Sequence, residues 1–221
     1  MTEKASPRLP TPTLCLVTDL GLFGHDVPRL VDAVSNAVAG GVNMVQIRDP
    51  ELDQEEFEVL AHKIAVSVGS RALTIVNPSR RRISRIEGVD GVQLAENAVM
   101  TVSDVRGIYG ESMLVGRSVH SVEGANAARA AGADYLVLGT IFPSASHPGG
   151  QWHGAEIVGD VSAETQLPVI GIGGITFENA AEVMKAGASG VAVVRSILGA
   201  ADPGVAAREL REVLEDALGA A

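Results

Sequence analysis

Cysteine is almost missing from this chain, with Cys15 the only one. That excludes a disulfide framework and any metal site built on several thiolates, and it suits a reducing, cytoplasmic setting. Aromatic residues are scarce as well, at 3% of 221 residues in a chain that is 46% hydrophobic. The core must therefore be built from Ala, Val, Ile and Leu, as in parallel sheets covered by helices. Positive charge is in deficit: 17 Lys and Arg face 27 Asp and Glu, a formal charge of −10. No basic run is long enough to follow a nucleic-acid backbone, and the densest cluster, Arg80–Arg82, reads as a solvated helix start. The balance argues against a nucleic-acid partner. A small anion would need a local positive field from backbone amides or one or two arginines. No apolar run approaches the ~20 residues of a membrane span, since GVAVVRSILGAA is cut by Arg195. The opening MTEKASPRLPTPT lacks the apolar centre of a signal peptide, so residues 1–13 are expected to form a flexible tail.

What the chain does have is one beat, repeated. Short β-type runs recur at LCLVT (14–18), VNMVQI (42–47), ALTIV (72–76), DGVQL (90–94), MLVGRS (113–118), DYLVLG (134–139), PVIGIG (168–173) and SGVAVV (189–194). Segments with apolar residues at helical spacing lie between them, among them VPRLVDAVSNAVAGG, QEEFEVLAHKIAVSVG, SVEGANAARAAGA and TFENAAEVMKAGA. Strands alternating with helices imply right-handed βαβ units and a parallel sheet. Eight such strands, followed by a last helix at 205–218, predict a single (β/α)8 TIM barrel over residues 14–221. The rival, an open doubly wound sheet, would place a GxGxxG fingerprint after the first strand; TDLGLFGHD does not match it. Glycines in NAVAGG, RAAGA and KAGA stand just past helices, where left-handed caps are needed. Ser121 with Glu123 and Thr176 with Asn179 stand where N-caps are expected.

In such barrels the functional groups gather at the carboxyl ends of the strands. Side chains alternate along a strand, so Val45 and Ile47 should meet helices while Gln46 and Arg48 face the mouth. The same reasoning brings Asn77, Gln93, Ser118 and His120 to one rim. His120 closes the fifth strand, where an imidazole can take and give a proton near neutrality, so it is the candidate catalytic residue. GIGGIT (171–176) and VVRS (193–196) follow strands seven and eight, the recurring phosphate site of this fold. Gly173, Gly174, Arg195 and Ser196 are the expected phosphate-binding residues. The long connection FPSASHPGGQWHG (142–154) is expected to be a lid. Its His147 and His153 sit on a loop, not on a scaffold with metal-ligand geometry, so no metal site is expected there.

These strings also carry a resemblance. LVTD (16–19), VQIR (45–48), VN (76–77), DGVQL (90–94), GRSVHS (116–121), GADYLVLGTIFPS (132–144), PVIGIGGIT (168–176) and AGASGVAVVRSI (186–197), in that order, resemble the thiamine phosphate synthase/TenI superfamily over nearly the whole chain after the tail. The resemblance implies a (β/α)8 barrel, a catalytic histidine at His120 and one of two activities. Thiamine phosphate synthase joins a hydroxymethylpyrimidine pyrophosphate to a thiazole phosphate with magnesium. The TenI-type tautomerase aromatises a thiazole carboxylate phosphate tautomer without metal. Where the synthase pattern has two metal aspartates, this chain has Pro78 and Ala98; where it has basic residues, this chain has Pro50 and His147. Loss of a pyrophosphate needs its charge stabilised. The expectation is therefore a metal-independent, cofactor-free tautomerase of the TenI branch. In it His120 shuttles the proton, Arg48 meets the carboxylate or ring with help from Gln46 and Asn77, and the partner is a small thiazole phosphate. The synthase is the alternative, and an inactive thiazole-phosphate binder ranks third. A homodimer is implied by the resemblance alone.

Overall fold

The computed structural model describes residues 8–79, 84–143 and 152–219. Eight strands close into a parallel barrel in chain order: β1 (Thr13–Val17), β2 (Met44–Ile47), β3 (Leu73–Val76), β4 (Gly91–Leu94), β5 (Leu114–Val119), β6 (Tyr135–Leu138), β7 (Val169–Ile172) and β8 (Gly190–Val193). β8 returns to β1, with Leu14 opposite Val191 and Leu16 opposite Val193. The helices are α1 (Val27–Ala39), α2 (Gln54–Val68), α3 (Val102–Tyr109), α4 (Val122–Ala130), α5 (Glu156–Thr165), α6 (Ala180–Lys185), α7 (Arg195–Leu198) and α8 (Pro203–Gly219). Six of the eight apolar runs contain their strand; β1 begins one residue before its run, at Thr13, and β5 ends one residue after its run, at Val119. The β3–β4 connection holds no helix among its described residues; it is tethered instead by Tyr109, whose hydroxyl accepts from Ile86 N and donates to Ser84 O. Arg80–Arg82 lie outside the described residues.

Alternation along the strands divides the core in two. Leu14, Leu16, Val45, Ile47, Val76, Val92, Val115 and Val191 face outward and pack beneath the helices. Cys15, Val17, Met44, Ile75, Leu114, Tyr135, Val137, Ile170 and Ala192 fill the barrel. Burial in that interior pushes the Cys15 thiol up to about 12, against a smaller opposing pull from the Gln46 backbone. A thiol so placed is inert until the barrel opens. Iodoacetamide is therefore expected to leave Cys15 unmodified in the native protein and to label it stoichiometrically in denaturant; prompt native labelling, followed by mass spectrometry, would contradict this burial.

The amino ends of alternate strands share one device. Asn43, Asp90 and Asp134 stand just before β2, β4 and β6, and their side chains accept from Leu14 N (2.9 Å), Thr74 N (3.0 Å) and Val115 N (2.7 Å) of the neighbouring strand. Each satisfies a donor the ladder leaves open. Asp134 also meets Arg106 Nη2 at 3.0 Å. Asp134→Ala should cost about 2 kcal/mol, read as a shift in urea midpoint at unchanged slope.

Helix starts follow the short polar residues. Asp53 and Thr101 form capping boxes with Glu56 and Asp104, and Ser121 accepts from Gly124 N at 3.1 Å. Thr176 is a correction: α6 opens only at Ala180. Asn179 Oδ1 accepts from Thr176 N (2.8 Å) while its amide donates to the Gly174 carbonyl (2.9 Å), so the pair braces the glycine-rich turn and does not cap a helix. At the other end of the barrel, Leu9 packs against the interior and Arg211 Nη1 of α8 donates to Pro12 O at 3.1 Å. Among the described residues no helix is long and apolar enough to cross a membrane.

Candidate active site

β2 delivers two of the expected groups. Gln46 is 3% exposed and points into the barrel mouth; its Oε1 accepts from Asn77 Nδ2 at 2.9 Å. Its Nε2 is buried with no hydrogen-bond partner among the described residues, a donor available to a ligand. Arg48, two residues further along, is exposed, and its guanidinium donates no hydrogen bond to, and makes no ion pair with, the described residues. Its main chain is fixed all the same. Thr18, just past β1, accepts from Arg48 N and donates to Arg48 O, both at 3.0 Å. Thr18 is thus a positioning residue that the LVTD string contained but that alternation alone does not single out.

β4 and β5 form the second pair. Gln93, fully buried, donates from Nε2 to Ser118 Oγ at 3.1 Å. That bond leaves the Ser118 proton free to donate to a ligand. Gly116 lies beneath, where a Cβ would stand 2.2 Å from both Gln93 Oε1 and Tyr135 Cζ. Only glycine admits the tyrosine ring and the amide together. His120, just past β5, has its ring about half exposed and its Nδ1 2.9 Å from Glu96 Oε2. Glu96 is the functional candidate that sequence reading missed. It sits in the loop after β4, and nothing in its spacing links it to position 120.

The loops after β7 and β8 have the features of an anion cradle. Gly173 and Gly174 adopt φ of +107° and +63°. Among the described residues, the main-chain N–H groups of Gly173, Gly174, Arg195 and Ser196 have no acceptor. Such unpaired amides attract phosphate. The Ser196 hydroxyl, by contrast, donates to Ile175 O at 2.6 Å, so its proton is already committed. A Cβ on Gly174 would stand 2.3 Å from Pro143 O, so the turn is pressed against the start of the long β6–α5 connection. Of that connection, residues 144–151, with His147, lie outside the described residues. His153 N donates to Thr140 O at 3.2 Å. At the opposite end of the barrel, an open depression of about 470 Å³ is lined by Ser162, Gln166, Pro168 and Gly187 and has no charged side chain.

The donor set does not fit the magnesium site that the resemblance implies for a synthase. The two carboxylate positions are Pro78 and Ala98. Asp49 is buried with Oδ1 accepting from Glu51 N and Leu52 N, and Glu96 is engaged by His120. Among the described residues no three His, Cys, Asp or Glu side chains are grouped to share an ion.

Residues 14–197 match the family described as thiamine monophosphate synthase. The chain belongs to that family. A thiamine-phosphate synthase of Roseiflexus sp. is 35% identical over 204 residues, covering 92% of this chain and 85% of its relative. One of Methanoculleus marisnigri is 38% identical over 183 residues, covering 82% and 86%. A thiamine phosphate pyrophosphorylase of Pyrococcus furiosus superposes with a TM-score of 0.79 at 30% identity, covering 94% of this chain and 97% of that one. These findings overturn the tautomerase, and with it the isomerase class, expected from Pro78 and Ala98. They establish the superfamily, but do not assign the chain to its TenI branch. The error has a physical source. Two missing carboxylates show that one way of stabilising a leaving group is absent; they do not show that the leaving group is absent.

Proposed function

We propose that this protein is a thiamine-phosphate synthase, joining a hydroxymethylpyrimidine pyrophosphate to a thiazole phosphate and releasing pyrophosphate. The observation that carries the reading is kinship with synthases at 35% and 38% identity across most of the chain. The barrel mouth supports it. The unpartnered Gln46 Nε2, oriented by Asn77, suits an acceptor nitrogen of a heteroaromatic ring. The unpaired guanidinium of Arg48, anchored through Thr18, suits a phosphoryl group, to which its planar fork can bind twice. Ser118, oriented by Gln93, offers a proton beside the ring. The amides of Gly173, Gly174, Arg195 and Ser196 suit the thiazole phosphate, with the exposed Arg195 side chain adding charge. Held in one mouth, the two substrates would react as an effectively unimolecular pair. A cytoplasmic location and a homodimer form part of the same proposal.

The test is direct. Purified protein given both substrates should yield thiamine phosphate and pyrophosphate in equal amounts, followed by chromatography. No product in either chelator-treated or magnesium-supplemented buffer would overturn the reading.

A further inference from the structure

We propose that Glu96 and His120 form an acid–base pair that assists the departure of pyrophosphate, a role the absent metal carboxylates do not fill here; the inference rests on the synthase reading above. The pair is built from both sides. Oε2 of Glu96 lies 2.9 Å from His120 Nδ1. Arg117, on the outward face of β5, donates from Nη2 to the Glu96 carbonyl at 3.0 Å and holds the main chain that carries the carboxylate. Gly124, in the first turn of α4, leaves the other carboxylate oxygen its room, since a Cβ there would stand 3.0 Å from Glu96 Oε1. The carboxylate therefore lies against a helix start, where negative charge is favoured. Gly139 does the same for the ring: a Cβ at the end of β6 would stand 3.1 Å from His120 Nε2. With Nδ1 taken by Glu96, Nε2 is the nitrogen left for a ligand.

The half-exposed side chains argue against a purely structural role. At 49% and 48% exposure the pair is screened by solvent and contributes little to stability. What it does fix is the orientation of the ring.

The step balances as follows. The bond between the pyrimidine's methylene carbon and the pyrophosphate oxygen breaks, and its electron pair goes to that oxygen. The proton on His120 Nε2 passes to the departing pyrophosphate, while Glu96, 2.9 Å from Nδ1, holds the ring in its orientation. The lone pair of the thiazole nitrogen forms the new carbon–nitrogen bond, and solvent returns a proton to the imidazole. His120 is the catalytic residue and Glu96 the positioning residue.

The experiment measures turnover of wild type and variants with chelator and with magnesium, alongside nitrogen-edited NMR of the histidine rings. Wild type is expected to turn over at comparable rates in both buffers. His120→Gln should lower kcat about 100-fold and Glu96→Gln about tenfold, with the KM for thiazole phosphate unchanged. Gly124→Ala should act in the direction of Glu96→Gln, more weakly. The Nδ1 proton of His120 should be observed in wild type and lost in Glu96→Ala, while melting temperatures stay at the wild-type value. Product formed only with magnesium, or both Gln variants turning over at the wild-type rate, would overturn the pair and leave the synthase reading standing. No product from wild type in either buffer would overturn that reading and the pair with it.

Discussion

Arg48→Ala is expected to lower kcat/KM for thiamine phosphate formation by about 100-fold or more, the scale seen when a preorganised charged donor is removed from a phosphoryl or oxyanion site. The structure explains why the loss should be large and local. Thr18 secures the Arg48 main chain through two 3.0 Å hydrogen bonds, so the alanine variant keeps its backbone path. The guanidinium has no partner among the described residues, so its removal leaves no buried charge unpaired. Stability should therefore be unchanged while activity falls. Arg48→Lys should restore only part of the rate, because an ammonium lacks the planar fork. Thr18→Val should give a smaller loss by freeing the Arg48 main chain. Wild-type kcat/KM in Arg48→Ala would remove Arg48 from the site.

The second large effect is on the fold. Gly190 opens β8, and a Cβ there would stand 2.1 Å from Thr13 O and 2.5 Å from Thr13 Cβ, at the start of β1. This is the seam where the barrel closes, with Gly190 paired to Thr13 on one side and to Ile170 on the other. Neither neighbour can move without breaking a ladder. Gly190→Ala should cost about 3 kcal/mol or more and lower the melting temperature by on the order of 10 °C. Gly107, inside α3, is the control: a Cβ there meets nothing within 4 Å. Gly107→Ala should raise stability by about 0.5–1 kcal/mol. Equal effects at the two positions would mean that the seam tolerates a side chain.

Much of the site was legible because strand parity is a local property. Placing Val45 and Ile47 against helices leaves Gln46 on the other face of β2, where the structure puts it, while Arg48 is exposed just past the strand. The pairing of Asn77 with Gln46 and of Ser118 with Gln93 follows from β2–β3 and β4–β5 being neighbours. Glu96 was not legible. It lies in an irregular loop, where direction is set by what the loop packs on, here Arg117 and the space over Gly124. Thr176 was misjudged for a related reason: a residue with capping chemistry was available, but Asn179 bound its amide and the helix began later. Pro78 and Ala98 point to a tautomerase only if a leaving group must be stabilised by a metal, and kinship with synthases at 35% and 38% identity outweighs that condition.

The order of eight apolar runs, their β-type residues and the glycines between them were enough to determine a closed parallel barrel, since period, propensity and connection handedness act over a few residues each. Only the tertiary structure decided which groups come together at the mouth: the His120 ring with the Glu96 carboxylate, the Thr18 hydroxyl with the Arg48 main chain, and the Gly174 turn with the Pro143 carbonyl. Those meetings depend on the register between strands and on the path of each loop. Both are set by packing among residues far apart in the chain, and neither leaves a periodic trace in the sequence.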